Sequence, residues 1–282
     1  MSEQSILVGL IGRGIQASRT PALHECEGDA QSLRYLYRLI DADELGLKDS
    51  ALPDLLDAAQ RTGFTGLNIT FPFKQAVVPL LDELSDEARS IGAVNTVVFK
   101  DGKRMGHNTD CLGFAEGFRH GLADVQKRRV VQMGAGGAGS AVAHALLTEG
   151  VEQLALFDID FARGQALVDN LNERFGAGRT SLGIDLAATL ADADGLVNTT
   201  PVGMVKLPGT PVPVGLLHAR LWVAEIIYFP LDTALLRHAR ALGCRTLDGG
   251  KMAVFQAVKA FELISGNAAD AGRMQAHFAS MD

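Results

Sequence analysis

Cysteine is scarce in this chain. Its three residues, Cys26, Cys111 and Cys244, are odd in number, far apart and outside any C-x-x-C. That pattern argues against a disulfide frame or a cysteine zinc site and fits free thiols in a reducing cytosol. No histidine pair has the spacing of metal ligands, so no metal is expected. No run of ~18 apolar residues is present to span a bilayer, and the amino terminus lacks the apolar core of a signal peptide. A soluble, cytoplasmic protein is the expectation. The net charge of −7, from 26 basic and 33 acidic residues, comes without a Lys/Arg block able to grip a polyanion. Nucleic acid and membrane are therefore not expected partners. Repeats and low-complexity tracts are also missing. What remains is an ordinary globular composition, 47% hydrophobic and 21% charged, on 282 residues. That length suits two domains, each able to bury its own core.

One stretch organises the rest. Val130-Val131-Gln132-Met133-Gly134-Ala135-Gly136-Gly137-Ala138-Gly139-Ser140-Ala141 is an apolar run that empties into glycines and then turns helical. Gly134, Gly136 and Gly139 make a G-x-G-x-x-G between strand and helix. The first lets the chain turn, the second lets backbone N–H groups, with those of Gly137 and Ala138, approach a pyrophosphate, and the third allows close helix packing. The anion would sit at a helix N-terminus. The next apolar run, Leu154-Ala155-Leu156-Phe157, ends at Asp158. This is ~20 residues beyond the last glycine, where dinucleotide sites place the acid that accepts both ribose hydroxyls. A carboxylate there repels a 2′-phosphate and Ile159 cannot neutralise one, so NAD is favoured over NADP.

Strand and helix alternate along the chain. Ile6 to Gly12 reads as a buried strand, and Thr20-Pro21 as a helix start with Thr20 as N-cap. Leu33 to Ile40 reads as a strand, Leu52 to Ala59 as an amphipathic helix ended at Gly63, and Gly66 to Thr70 as a third strand. Pro72 ends that ladder and leaves Lys74 at the carboxyl end of a strand, where α/β sheets bind ligands. A helix through Leu80, Leu81 and Leu84 follows. Ala93 to Phe99 and Arg104 to Asp110 then form a hairpin around Asp101-Gly102. Leu112 to Phe118 is helical and connects two domains. Strands at Val130 to Met133, Leu154 to Phe157, Thr180 to Ile184, Gly195 to Asn198, Trp222 to Tyr228 and Cys244 to Leu247 match the Rossmann count. The apolar helix Met252 to Ile264 comes after that sheet is complete and is expected to pack back onto the first domain. The fold class is α/β: a Rossmann dinucleotide-binding domain over 111–249, and an α/β substrate domain with a mixed, mostly parallel sheet over 1–110, completed by 250–282.

A nicotinamide enzyme oxidising an alcohol needs a side chain to take the hydroxyl proton. No Ser-x-x-x-Lys motif, zinc ligand set or well-spaced histidine answers that need. Lys74 and Asp110 do, each at a strand end of the first domain. Desolvation lowers a lysine's pKa toward that of a useful base, whereas a neighbouring carboxylate opposes the lowering and fixes the ammonium. Both roles, base and hydrogen-bond donor, stay open to Lys74 at this level.

Seven ordered stretches together resemble the shikimate/quinate dehydrogenase family over nearly the whole chain. They are Ser18-Arg19-Thr20-Pro21, Asn68 to Lys74, Gly92 to Thr96, Gly106 to Asp110, the glycine loop, Asn198 to Met204, and Met252 to Gln256. The resemblance implies reversible hydride transfer between shikimate and 3-dehydroshikimate, in the shikimate pathway of aromatic amino acid biosynthesis. Carried over by position, Ser18 and Thr20 would hold the substrate carboxylate, while Thr70, Asn95, Asp110 and Gln256 bind ring hydroxyls. Lys74 and Asp110 would be the catalytic pair. Thr199, Pro201, Gly203 and Met204 would lie at the cofactor, and Tyr228 beside the substrate. The partners implied are a small acid, shikimate or quinate, and NAD, with NADP left open as a second cofactor; the chain would be a monomer or homodimer.

Three departures from the commonest biosynthetic pattern stand out. Thr20 replaces a serine, as in quinate-accepting members. Asp158-Ile159-Asp160 replaces an Asn-Arg-Thr type segment whose arginine holds the NADP phosphate. Lys251 replaces a glycine ahead of the final apolar helix. Two rivals are weighed. A methylene-tetrahydrofolate dehydrogenase also uses a lysine in its substrate domain, but the Ser18/Thr20 pair argues against a folate pocket. A sensing relative that binds without turnover is disfavoured by retention of Lys74 and Asp110.

Overall fold

The computed structural model describes residues 5–281. The chain divides into two compact units. One contains the residues up to Gly113 with those from Val254 onward, and the other is Phe114–Ala253. Unit one begins with β1 (Ile6–Gly12), α1 (Thr20–Ala30), β2 (Tyr35–Asp41), α2 (Leu52–Arg61), β3 (Gly66–Ile69) and α3 (Phe73–Ala76). It continues with β4 (Glu83–Leu84), α4 (Asp86–Ile91), β5 (Thr96–Lys100), β6 (Lys103–His107) and the start of α5 (Thr109–Gly121). Unit two holds β7 (Arg129–Met133), α6 (Gly137–Thr148), β8 (Gln153–Phe157), α7 (Phe161–Phe175), β9 (Thr180–Leu182), α8 (Leu186–Ala191), β10 (Gly195–Asn198), β11 (Trp222–Glu225), α9 (Ala234–Ala241) and β12 (Arg245–Leu247). Then α10 (Gly250–Ser265) and α11 (Ala271–Ala279) return the chain to unit one. No helix among the described residues is long and apolar enough to cross a membrane.

The first sheet has the order β2-β1-β3-β5-β6-β4, and only β5 runs against the others. Both of its faces are covered, which is why β1 reads as a continuous apolar run rather than an alternating one. Ile11, Leu67 and Ile69 pack on Leu52 and Leu56 of α2 and on Phe73. On the other face Ile6, Val8, Leu10, Tyr35 and Tyr37 pack with Phe261 and Ile264 of α10. The β5–β6 hairpin turns through Asp101 and Gly102, both with positive φ, as the Asp-Gly signal requires. In the second sheet the order β12-β11-β10-β7-β8-β9 is parallel throughout. It is the doubly wound dinucleotide-binding order, with the strand order reversing between β7 and β10.

Three local expectations are corrected. Thr20 is not the N-cap of α1: Arg19 holds that position in a helical conformation without a side-chain cap, so Thr20 is the first helical residue. The helix expected through Leu80, Leu81 and Leu84 is a single turn, α3, then a 3₁₀ turn over Val78–Leu80 and the short β4. Pro79 accounts for the break, because its ring and missing N–H do not fit an α-helix interior. The leucines imitate a helical stripe because all three pack against one core. Lastly, the expected strands Thr180 to Ile184 and Trp222 to Tyr228 stop at Leu182 and Glu225. In the second case the Ile227 N–H turns to the Glu225 side chain instead of a ladder partner.

Candidate active site

In unit one the sheet reverses direction of winding between β1 and β3, and the crevice beyond the carboxyl ends of such strands is where α/β folds bind ligands. The loop after β1 carries Ser18 and leads to Thr20, and the loop after β3 carries Thr70 and leads through the Phe71-Pro72 cis bond to Lys74. The two loops are joined where Thr70 N–H donates to the Ile11 carbonyl and Arg13 N–H to that of Phe71. Gly12 is required there, since a Cβ would run into the Thr70 side chain. Because β5 is antiparallel, Asn95, which precedes it, falls at this same edge, and Asp110 arrives there after β6. Topology thus gathers six of the expected residues on one sheet edge. Gln256 lies half-buried in α10 of the same unit.

Lys74 Nζ donates to Asp110 Oδ2 at 2.6 Å, with only 18% and 7% of the two side chains exposed. Asp110 is the second residue of α5, and Asn95 anchors that helix start. Thr109 N–H donates to Asn95 Oδ1 at 2.7 Å, while Asn95 Nδ2 donates to Thr109 Oγ1 at 2.9 Å. Asn108 Oδ1 accepts from Cys111 N–H, as a capping side chain does. At the other loop Ser18 Oγ accepts the Thr20 N–H at 3.3 Å, at the positive end of α1. An ion pair screened from water beside convergent hydroxyl and amide groups suits a polyhydroxy acid and a proton transfer.

In unit two the glycine loop lies at the point where the strand order reverses. Gly134 has φ +99°, and Gly139 packs so closely that a Cβ would meet the Gly134 carbonyl at 2.5 Å. Gly136 is the N-cap of α6, and a Cβ there would meet open space. This is a cradle whose backbone can meet a phosphate, so the residues fit a dinucleotide. Thr199 Oγ1 donates to the carbonyls of Met133 and Gly134, tying the loop after β10 to the cradle. Beyond it Gly203 is buried with φ +119°, Pro201 and Met204 are exposed, and Met204 N–H donates to the Pro201 carbonyl. Asp158 ends up beside the cradle: its Oδ2 accepts the Ala135 N–H at 2.6 Å, and its Oδ1 accepts from Asp160 N–H and Arg163 Nη2. Burial works against its charge, but Arg163 and the two amides outweigh it and hold the carboxyl below its usual pKa. Tyr228 is exposed just beyond β11, and exposed Lys251 has its stem over Gly117 of α5.

Several residues that build these loops have no signature in the sequence. Asp41, at the end of β2, accepts from the N–H groups of Gly14, Ile15 and Asp43 and from Gln16, and so folds the loop ahead of Ser18. Gln132 Nε2 donates to the carbonyls of Gly134 and Gly139. Glu225, 1% exposed, accepts from Asn198, the Ile227 N–H and Thr233. Only the tertiary neighbours distinguish these from ordinary strand residues.

Burial pushes the Glu225 carboxyl up to about 7 from an ordinary 4.5, against the opposing pull of Asn198, Ile227 N–H and Thr233. The folded chain therefore holds this proton, and the unfolded chain loses it, between pH 4.5 and about 7. Stability from this group falls as pH rises through that window, by about 3 kcal/mol in all, and levels off above it. Glu225→Gln abolishes the titration. The melting temperature of the variant relative to the parent should rise from pH 5 to pH 8; a difference independent of pH would exclude Glu225 as the titrating group.

Residues 10–97 match the family model for the shikimate dehydrogenase substrate binding domain. Over 283 residues the chain is 55% identical to a shikimate dehydrogenase (NADP(+)) of Streptomyces avermitilis, covering 100% of this chain and 97% of the relative. It is 52% identical over 286 residues to a quinate/shikimate dehydrogenase (NAD(+)) of Corynebacterium efficiens, covering 100% of both. Among solved structures, the quinate dehydrogenase from Corynebacterium glutamicum in complex with NAD superposes with a TM-score of 0.91 at 50% identity, over 98% of this chain and 99% of that one. With its sheet orders, its glycine cradle and this likeness along the full length, the chain belongs to the shikimate/quinate dehydrogenase family.

Proposed function

We propose that this oxidoreductase reversibly transfers a hydride between shikimate and NAD, giving 3-dehydroshikimate, and that quinate is a second substrate. The observation that carries the reading is the Lys74–Asp110 pair, largely shielded from water, on the sheet edge shared by Ser18, Thr20, Thr70 and Asn95. A bound NAD would supply the hydride acceptor. Lys74 and Asp110 take the hydroxyl proton in oxidation and return it in reduction. The Ser18 and Thr20 hydroxyls hold the carboxylate, Thr70, Asn95 and Gln256 bind ring hydroxyls, and Tyr228 flanks the substrate. Gly134, Gly136, Gly137, Ala138 and Gly139 carry the pyrophosphate and Asp158 the ribose. Thr199, Pro201, Gly203 and Met204 shape the nicotinamide end. Relatives named for NAD and for NADP are about equally similar, so the cofactor preference rests on Asp158 in this chain. Neither the folate nor the sensing alternative is retained.

A steady-state comparison of shikimate and quinate, each with NAD and NADP, tests the reading directly; turnover of neither acid overturns it. The same assay locates the carboxylate site. Hydroxyl donors, unlike a planar arginine fork, accept an acid whose carboxylate carbon is flat or tetrahedral. The Thr20 methyl narrows the pocket while keeping the donor, and one methyl in a tight site is worth ~1–3 kcal/mol. Thr20→Ser should change the shikimate-to-quinate ratio of kcat/KM more than the overall rate. An unchanged ratio would place the carboxylate elsewhere.

A further inference from the structure

A line of buried polar side chains crosses one face of the first sheet. Tyr37, Asn68, Thr96 and Thr109 are each 9% exposed or less, on β2, β3, β5 and the start of α5. A polar group buried among Val8, Leu10 and Phe261 is costly unless it is hydrogen-bonded, and these are bonded to one another. Tyr37 O–H reaches diagonally over β1 and donates to Asn68 Oδ1 at 2.7 Å. Asn68 Nδ2 donates to Thr96 Oγ1 at 3.0 Å, and Thr96 O–H donates to Asn95 Oδ1 at 3.2 Å. Asn95 Oδ1 also takes the Thr109 N–H, the residue before Asp110.

The Thr109 backbone N–H can only donate, so it holds the Asn95 amide with its oxygen toward it. The hydroxyls of Tyr37 and Thr96 can donate or accept, and the line closes when Tyr37 donates to Asn68, Asn68 to Thr96 and Thr96 to that same Asn95 oxygen. With its oxygen pinned from two sides, Asn95 spends one Nδ2 hydrogen on Thr109 and has the second to offer a ligand hydroxyl.

We infer that Tyr37 and Thr96 are positioning residues for the known reaction: through Asn68 they lock the Asn95 amide in the orientation that meets a substrate hydroxyl and seats the first turn of α5 under Asp110. This rests on the proposed reading in which Asn95 and Asp110 face the substrate. Tyr37→Phe leaves the Asn68 oxygen without its phenol donor, and Thr96→Val removes the central link at nearly constant shape. Chains of this kind transmit a part of the broken interaction, a change of about threefold to thirtyfold.

The test combines Tyr37→Phe and Thr96→Val, singly and on an Asn95→Ala background, with steady-state kinetics and hydrogen exchange at the Thr109 amide. Each single variant should lower kcat/KM for shikimate by about threefold to thirtyfold, leave the KM for NAD unchanged, and speed Thr109 exchange. On the Asn95→Ala background neither should cost anything more. Kinetics equal to the parent, or losses that multiply with that of Asn95→Ala, would overturn the inference. Should Tyr37→Phe fail to fold, Thr96→Val carries the same comparison. If the parent turns over neither acid, the functional reading fails while the exchange rate at Thr109 still decides the chain: faster exchange in the variants supports it and unchanged exchange refutes it.

Discussion

Lys74→Ala is expected to lower kcat for shikimate oxidation by ~10²-fold or more, and Asp110→Asn by a similar factor, the usual range for losing general acid–base help. The two side chains are 2.6 Å apart and largely shielded from water, so each fixes the position of the other. Removal of one disables both, and the double variant should be little worse than either single one. Loss of the lysine also leaves a carboxylate buried without its cation, so thermal melts must accompany the kinetics to separate a damaged fold from a damaged mechanism. Asp110→Asn is the cleaner probe, since it keeps shape and polarity while removing the charge. An unaltered kcat with a raised KM would assign Lys74 to ground-state binding alone. A fall in kcat/KM on acidification that disappears in the lysine variant would mark it as the base.

The next largest effect concerns the cofactor. NAD should exceed NADP in kcat/KM by roughly tenfold to a hundredfold, the equivalent of ~1–3 kcal/mol of repulsion between Asp158 and a 2′-phosphate. The structure supplies two opposing details. Asp158 is held ionised by the Ala135 and Asp160 amides and by Arg163, which favours repulsion. Arg163, however, is 42% exposed in its side chain and brings a positive charge to the same place. The discrimination is therefore a difference between two charges. Asp158→Ala should narrow the gap, chiefly by weakening NAD, and Arg163→Ala should widen it. Equal efficiency of the parent with both cofactors would sink the assignment.

Legibility from sequence followed interaction range. The hairpin at Asp101-Gly102 and the glycine cradle were visible because φ preferences and the strand-to-helix switch are encoded within a few residues. The turn broken at Pro79 was misread because a shared core, rather than a helix, spaced Leu80, Leu81 and Leu84. Thr20 was misplaced by one position because Ser and Thr next to a proline fit both the cap and the first helical site.

By itself the amino-acid sequence determined the α/β alternation and the dinucleotide cradle, and it singled out Lys74, Asp110 and Asp158 as candidate site residues. Each depends on local backbone preference, on hydrophobic period, or on residue types at fixed offsets. Tertiary structure alone decided that, of the two hairpin strands, β5 is the one that pairs with β3, and so carries Asn95 to the edge holding Thr70 and Lys74. It alone brought Asp110 within 2.6 Å of a lysine 36 positions away, set Arg163 against Asp158, and joined Tyr37 to Asn95 through strands distant in the chain. Buried hydrogen bonds and ion pairs between such remote residues leave no periodic trace, because their partners are chosen by sheet order and register, which emerge only when the whole core packs.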